Sequence, residues 1–228
     1  MINAPSAIGV GVRGATIRWV TEIAIDTPRG RARAHLSRPT GEPASMAMVL
    51  GHGAGGGVGA PDLQRAREVA LSLGVAVALV EQPYRVAGRR APAPAAHLDE
   101  AWSAVVNHLA GDRLQGLALI CGGRSMGARV ACRTVSPTHA VAVLCLAFPL
   151  LPVTRARATR PASSRLPELD AVRVPTLVVQ GERDRFGIPP PGPGRTVVRV
   201  AGDHALKSDL GAVGEAVDVW LRRILGAP

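Results

Sequence analysis

The chain has 228 residues, of which 47% are hydrophobic and 19% are charged, so it can bury a sizeable core and is not globally disordered. This length fits one domain, which we expect to span residues 1–228. The formal net charge is +10, from 26 arginines and one lysine against 17 acidic residues, but the arginines are scattered and only 3% of the residues are aromatic. This composition lacks the basic, aromatic surface that is typical of proteins that bind single-stranded nucleic acids, so we expect no nucleic-acid partner.

The chain also lacks the features of secreted and membrane proteins. Its start has no apolar segment of the kind that signal peptides carry, and its longest apolar runs, about ten residues, are too short to span a bilayer. The three cysteines, Cys121, Cys132 and Cys145, lie in apolar segments and have no metal-type spacing. An odd number of such thiols is typical of a reducing compartment, so we expect a cytoplasmic protein with no membrane partner.

The first predicted element is an antiparallel hairpin near the N-terminus. Alternating and β-branched residues occupy 17–21 and 33–36, and the turn-forming sequence Asp26-Thr27-Pro28-Arg29-Gly30 lies between them. We expect this hairpin to form an edge pair of a sheet.

From residue 46 onwards, uninterrupted apolar runs alternate with segments of helical periodicity. The runs predict buried parallel strands over residues 46–50, 75–80, 117–121, 141–148, 176–180 and 196–200. The helical spacing predicts helices over residues 63–73, 98–109, 128–134 and 210–224. Asp62 is the expected N-cap of the first helix, and Gly74 and Gly111 are the expected stops of the first and second.

This alternation predicts a single-domain α/β fold. We expect a mostly parallel, doubly wound sheet with helices on both faces, antiparallel N-terminal strands and no large cap domain. Two segments, 84–96 and 150–174, are rich in Pro, Ala and Arg and interrupt the alternation, so we expect lids or binding loops there.

The first glycine cluster has the literal pattern of a dinucleotide-binding loop. Residues 51–56 read G-x-G-x-x-G, after a predicted strand and before a predicted helix. In that fingerprint, however, the helix opens within the glycines, whereas five more residues precede Asp62 here. Glu81, the candidate ribose ligand, also lies further from Gly56 than the roughly 20 residues expected. Nucleotide binding is therefore the less favoured alternative.

The second glycine cluster predicts a nucleophile. Gly123-Arg124-Ser125-Met126-Gly127 is G-x-S-x-G, directly between a predicted strand and a predicted helix. Enzymes with a nucleophile elbow need small residues two positions before and after the serine, because the turn that exposes the hydroxyl is sharp. The alternative is an ordinary glycine-rich turn with Ser125 as a helix N-cap.

Two more residues complete a candidate catalytic triad. Asp184 and His204 each follow a predicted strand, and the order Ser125, Asp184, His204 is the one that hydrolases with this elbow use. His204 would take the serine proton, and Asp184 would hold the imidazole in the required tautomer. Glu182 and Asp203 flank these positions and are alternative acids.

The same pattern predicts an oxyanion hole and a substrate site. The expected donors are the backbone N–H of Met126 and that of Gly53 or Ala54 in the first glycine cluster. The arginines after the second buried strand could pair with a substrate carboxylate or phosphate. The candidate substrate-binding residues are His52, Gly55, Tyr84, Arg85, Arg89 and Arg90.

Taken together, these motifs resemble the α/β-hydrolases related to dienelactone hydrolases, in particular their small lidless members. The likeness covers about residues 45–210 and rests on Gly51 to Gly56, Gln82-Pro83-Tyr84-Arg85, Gly122 to Arg129, Gln180 to Asp184, and Gly202-Asp203-His204. The resemblance implies a serine hydrolase that cleaves an ester, thioester or related acyl bond and needs no cofactor and no metal. Dienelactone hydrolases use cysteine where this chain has Ser125, so their lactone hydrolysis is not expected here.

The sequence therefore predicts a carboxylic-ester hydrolase that works through an acyl-enzyme intermediate. The expected substrate is a small acyl ester, with an anionic one as an option, and the expected assembly is a monomer or a homodimer. Some relatives of this kind lack a known reaction. The alternative from another class is thus a non-catalytic interaction protein whose basic face binds an acidic partner.

Overall fold

Eight strands form one mixed sheet in the computed structural model, which describes residues 18–40, 44–152 and 163–226. The strands are β1 (Arg18–Thr27), β2 (Gly30–Arg38), β3 (Met46–Gly51), β4 (Ala76–Glu81), β5 (Ala118–Arg124), β6 (Ala142–Leu146), β7 (Thr176–Gly181) and β8 (Arg195–Val200). The helices are α1 (Pro61–Ser72), α2 (Pro83–Val86), α3 (Ala95–Gly111), α4 (Met126–Arg133), α5 (Val135–Thr138), α6 (Leu166–Asp170) and α7 (Leu210–Ile224).

The sheet has the order β1-β2-β4-β3-β5-β6-β7-β8. Strand β2 pairs antiparallel with both β1 and β4, and the remaining pairs are parallel. The predicted α/β fold, with its antiparallel N-terminal strands, is therefore confirmed. The parallel strands end at a common edge, where polar side chains after β5, β7 and β8 can meet.

Alternate residues of the central strands explain why their sequences are apolar throughout. In β3, Ala47 and Val49 pack with α3 and α4 on one face, and Met48 and Leu50 pack with α1 and α7 on the other. Each fully buried side chain of the size of Val or Leu contributes about 1.5–3 kcal/mol to folding. Both faces of the sheet are thus covered by helices, as predicted.

Strand and helix bounds differ from the predictions where backbone geometry overrides composition. Strand β5 continues through Gly122 and Gly123 to Arg124, because these residues still pair with β3 or β6. The apolar run 141–148 forms a shorter strand, since the chain turns at Ala147, whose φ is 50°.

The predicted N-cap of the first helix is wrong. Helix α1 begins at Pro61 after the N-cap Ala60, because proline at the first helical position has no N–H to satisfy. Asp62 lies inside the first turn, fully buried, and its Oδ1 atom accepts a hydrogen bond from the N–H of Leu63. The predicted stops hold: Gly74 follows the C-cap with φ 78°, and α3 ends at Gly111.

Where the structure describes them, the two segments that interrupt the alternation consist of loops and short helical stretches. The first begins in α2 and leads into α3, and the second contains α6, while its residues 153–162 lie outside the described part. The described residues contain no inserted cap domain. None of their helices has both the length and the apolar character that crossing a bilayer requires.

Candidate active site

Ser125 occupies a strained turn between β5 and α4. Its backbone has φ 53° and ψ −106°, a conformation that non-glycine residues rarely adopt. Gly51, the last residue of β3, leaves no room for side chains at the two glycine positions of this turn. A Cβ atom on either Gly123 or Gly127 would lie 2.3 Å from the carbonyl oxygen of Gly51. Only glycine fits at both positions, which gives the G-x-S-x-G pattern its physical cause.

The structure brings Ser125, His204 and Asp184 into one hydrogen-bonded chain. The Nε2 atom of His204 lies 2.9 Å from Oγ of Ser125, and its Nδ1 atom lies 2.7 Å from Oδ2 of Asp184. Because the ionised carboxylate only accepts, Nδ1 carries the proton and Nε2 is left as the acceptor for the serine hydroxyl. The side chain of Asp184 is fully buried, whereas that of His204 is 20% exposed and open to a substrate.

Further contacts hold Asp184 and His204 in this orientation. The buried amide of Gln180 donates to Oδ2 of Asp184 at 2.7 Å, and the N–H of Phe186 donates to Oδ1 at 2.9 Å. The Phe186 ring packs edge-on against the imidazole of His204, with 4.4 Å between ring centroids. Sequence reasoning did not assign a role to Gln180, although it begins the quoted motif that ends at Asp184.

The alternative acids do not approach the imidazole. Glu182 and Asp203 are both exposed, and Asp203 accepts from the N–H of Ala205 instead. Among these carboxylates, the structure places only Asp184 against His204.

The glycine loop, residues 52–60 between β3 and α1, packs against the serine turn. A Cβ atom on Gly53 would lie 3.7 Å from Cβ of Ser125, so the backbone of this loop borders the nucleophile. Within the described residues, the N–H groups of Gly53, Ala54 and Met126 donate to no protein acceptor. Met126 is also the first residue of α4, where the helix dipole favours negative charge.

Two of the predicted substrate-binding residues instead brace this loop from behind. His52 is fully buried, and burial lowers its pKa, so the ring stays neutral. Its Nδ1 atom donates to the carbonyl of Gly53 at 2.8 Å, and its Nε2 atom accepts from the N–H of Gln82 at 3.1 Å. The ring is closed off from a substrate, which corrects that prediction.

Tyr84 has a similar position. Its side chain is buried, and its hydroxyl donates to the carbonyl of Ala54 at 2.9 Å and approaches Sδ of Met126 at 3.8 Å. Burial raises the pKa of Tyr84 to about 12, so the hydroxyl keeps its proton. The hydroxyl is therefore already engaged, whereas the residue also lines a groove, so a direct substrate contact of Tyr84 stays a prediction.

The remaining predicted substrate-binding residues, Gly55 and the three arginines, lie at different places on the surface. Gly55 is exposed at the tip of the glycine loop. Arg89 is exposed and lines a groove of about 370 Å³ next to Tyr84, whereas Arg85 and Arg90 do not line it. Of the three arginines, only Arg89 lines this groove, and the groove's lining includes none of the three triad residues.

The glycine loop differs from a dinucleotide site. Helix α1 opens at Pro61, well beyond Gly56, so the glycines do not form the helix N-terminus, and Gly51 and Gly53 pack against the serine turn instead. Within the described ranges, no three side chains of His, Cys, Asp or Glu come together as a metal site would require.

The fold has many counterparts among solved structures. They include an α/β serine hydrolase without lid from Xanthomonas campestris, at 18% identity and TM-score 0.69 over 92% of this chain and 96% of that chain. Est1E from Butyrivibrio proteoclasticus matches at 15% identity and TM-score 0.71, over 90% of this chain and 99% of that chain. A dienelactone hydrolase from Anabaena variabilis matches at 17% identity and TM-score 0.70, over 90% of this chain and 97% of that chain.

At these identities the structural likeness concerns the fold, and the family follows from the sequence. Curated protein sequences give no match. The sequence profile described as alpha/beta hydrolase domain matches residues 44–191, more than half of the chain, including the glycine loop, Ser125 and Asp184. The chain belongs to the α/β-hydrolase family.

Proposed function

We propose that this protein is a serine hydrolase that cleaves a carboxylic ester, or a thioester or related acyl bond, through an acyl-enzyme intermediate. The observation that carries the proposal is the continuous chain from Ser125 through His204 to Asp184, with contacts of 2.9 and 2.7 Å, on a turn that exposes the serine. A serine hydroxyl is too weak a nucleophile without such a base.

The proposed reaction uses each group in turn. His204 removes the proton of Ser125 as Oγ attacks the acyl carbon, and Asp184 stabilises the imidazolium that results. The tetrahedral intermediate collapses when His204 protonates the leaving alcohol. A water molecule, deprotonated by His204, then attacks the acyl-enzyme and releases the acid.

We assign the oxyanion hole to the backbone N–H groups of Met126 and of Gly53 or Ala54. Their lack of protein acceptors within the described residues supports this assignment. In other serine hydrolases one such donor is worth about 3–4 kcal/mol of the barrier. The hydrogen bond from Tyr84 to the carbonyl of Ala54 would keep the glycine loop in place during the reaction.

The proposed substrate is a small acyl ester. The described residues contain no cap domain that could enclose a long acyl chain, so the site is open. We further propose that Arg89 binds an anionic group of the substrate, since it lines a groove beside Tyr84 and has no carboxylate partner within the described residues.

A panel of p-nitrophenyl esters tests the proposed activity. We expect the acetate to be hydrolysed faster than the palmitate, and the Ser125→Ala variant to lose at least about 10³-fold in kcat, as in other triad enzymes. Ser136→Ala, at an exposed serine of α5, is the matched control and should keep wild-type rates. Equal rates for wild type and Ser125→Ala would contradict the proposal.

A further inference from the structure

We propose that Arg124 is a positioning residue for this reaction: its guanidinium, held by the buried carboxylate of Asp62, joins the loop that carries His204 to the turn that carries Ser125 and to the glycine loop. The inference deepens the proposed function and rests on it. Arg124 is the residue before the nucleophile, a position that the G-x-S-x-G pattern leaves open.

Three segments of the site meet at this side chain. The Nη2 atom of Arg124 donates to the backbone carbonyl of His204 at 2.9 Å. Its Nη1 atom lies 3.0 Å from the point where a Cβ atom on Gly53 would stand, so it packs directly against the glycine loop. Its Nε atom lies 2.9 Å from Oδ2 of Asp62 at the start of α1.

The guanidinium gives the His204 residue a second connection to the serine turn, in addition to the triad hydrogen bond. Arg124 is the last residue of β5, so its backbone moves with Ser125, whereas the His204 loop (residues 201–209, between β8 and α7) is tied to β8. The His204 carbonyl is held by the Arg124 side chain, and the His204 imidazole is held by Asp184. Two attachments on one residue restrict its rotation as well as its distance.

Asp62 explains why this arginine keeps one orientation. The Asp62 side chain is fully buried and the Arg124 side chain is 17% exposed, so the carboxylate cannot replace the guanidinium with water. Burial raises the pKa of Asp62, and the adjacent guanidinium opposes that shift. A buried charge without its partner is strongly unfavourable, so the pair keeps the guanidinium in place.

The geometry requires arginine rather than any cation. The planar guanidinium presents nitrogens in fixed directions, and here they reach Asp62, His204 and the glycine loop at once. A lysine ammonium is a point charge at the end of a flexible stem and cannot maintain these contacts together.

The test separates positioning from stability by comparing two arginines, each of which forms an ion pair at 2.9 Å. Arg124→Met should lower kcat for p-nitrophenyl acetate about 10- to 100-fold and leave KM within about threefold, because small displacements of reacting groups act on the chemical step. Arg124→Lys should not restore kcat. The double variant Asp62→Asn/Arg124→Met removes the uncompensated buried charge and should fold well, yet it should keep the low kcat.

Arg195→Met is the matched control. Arg195 forms an equally close ion pair with Asp170, at 2.9 Å, in which the arginine side chain is buried and the carboxylate is exposed. This pair lies at the amino end of β8, on the opposite edge of the sheet from Ser125. This variant should lose thermal stability and keep kcat within about twofold of the wild type, since distant sites act independently. Hydrogen exchange over residues 201–209 should become faster in Arg124→Met and remain unchanged in Arg195→Met.

Three results would overturn the inference: kcat near the wild-type value in the double variant, full rescue by Arg124→Lys, or an equal fall in kcat for Arg195→Met. The exchange measurement does not depend on activity. If the wild type hydrolyses no ester, the proposed function fails, while unchanged exchange over 201–209 in Arg124→Met would separately refute the positioning role.

Discussion

The hydroxyl of Ser125 is exposed by a turn whose neighbours have almost no free space. Gly123 and Gly127 both approach the carbonyl of Gly51, and Ser125 itself has φ 53°. Backbone strain of this kind costs about 1–3 kcal/mol and persists only when the surrounding structure enforces it. The turn is therefore sensitive to a single added methyl group.

Gly127→Ala should destabilise the protein and abolish ester hydrolysis. The new Cβ atom would lie 2.3 Å from the carbonyl oxygen of Gly51, and relieving such overpacking typically costs about 1–3 kcal/mol and displaces the backbone. Thermal unfolding and kcat measure the two effects. Gly57→Ala, in the glycine loop, is the control, because nothing lies within 4 Å of its Cβ position and neither quantity should change. A fully active Gly127→Ala variant would contradict this explanation of the elbow.

The buried imidazole of His52 predicts a pH dependence of stability. Burial lowers the pKa of His52 in the folded state, so as the pH falls below 6.5, its ordinary value, the unfolded chain takes up a proton that the folded chain does not. The contribution of His52 to the free energy of unfolding is therefore fully present above that pH and decreases as the pH falls. Urea unfolding between pH 7.5 and about 5 should show a shallower decline in His52→Gln than in the wild type. His108→Gln, at an exposed position of α3, should retain the wild-type dependence, and an unchanged slope in His52→Gln would refute the prediction.

Motif spacing identifies candidate catalytic residues, because the reaction requires particular residue types in a particular order. It does not identify residues whose role depends on a contact with a side chain far away in the sequence. Ser125, Asp184 and His204 could be selected from the sequence because each follows an apolar run in the expected order, and the structure brings them together. Asp62 was misassigned as an N-cap because local rules do not include Arg124, its partner across the fold. The burial of His52 and Tyr84 behind the glycine loop could not be predicted, because it depends on how the loops pack in three dimensions.

Among the elements, the strands were the most predictable and the helix starts the least. Apolar runs identify β3 to β7 because both faces of these strands are buried, whereas the edge strand β8 is only partly buried. The strand order cannot be inferred from that pattern. Strand β4 lies between β2 and β3, because the chain crosses over after β3 through α1. Loop elements such as α2 and α6 have too few residues to show a period.

Helix α4 is the element on which the proposed nucleophile depends, and ion pairs attach it to its neighbours. Arg133 donates to both carboxylate oxygens of Asp99 in α3, at 2.8 and 2.6 Å. Arg129 makes a similar two-point contact with Glu168 in α6. These part-buried, two-point pairs attach the middle and the end of α4 to α6 and α3, and so restrain the helix that follows Ser125.

At the scale of the whole molecule, many of the arginines are engaged in ion pairs, most of them at the surface. Many arginines form ion pairs with carboxylates of the same chain, namely Arg29, Arg31, Arg33, Arg65, Arg113, Arg124, Arg129, Arg133, Arg195 and Arg222. The net charge of +10 already subtracts these carboxylates, so the ion pairs reduce the number of unpaired arginines and not the net charge. Within the described residues, Arg89 keeps its charge free and lines the groove beside Tyr84.

Arg89→Ala should raise KM for an ester that carries a carboxylate by about tenfold, the value of one charge-assisted hydrogen bond, and leave KM for an uncharged ester unchanged. Steady-state kinetics with the two esters at low ionic strength measures the difference, which salt should reduce. Arg90→Ala removes an equally exposed charge outside the groove and should change neither KM. An identical KM for the anionic ester in wild type and Arg89→Ala would exclude this role.

The central claim is that Ser125 is an activated nucleophile, and covalent labelling with a fluorophosphonate probe tests it most directly. We expect intact-mass analysis to show one adduct per wild-type chain, peptide mapping to place it on Ser125, and Ser125→Ala to remain unlabelled while keeping its thermal stability. Ser136→Ala should label like the wild type. Absence of an adduct on folded wild-type protein, or equal labelling of Ser125→Ala, would contradict the account.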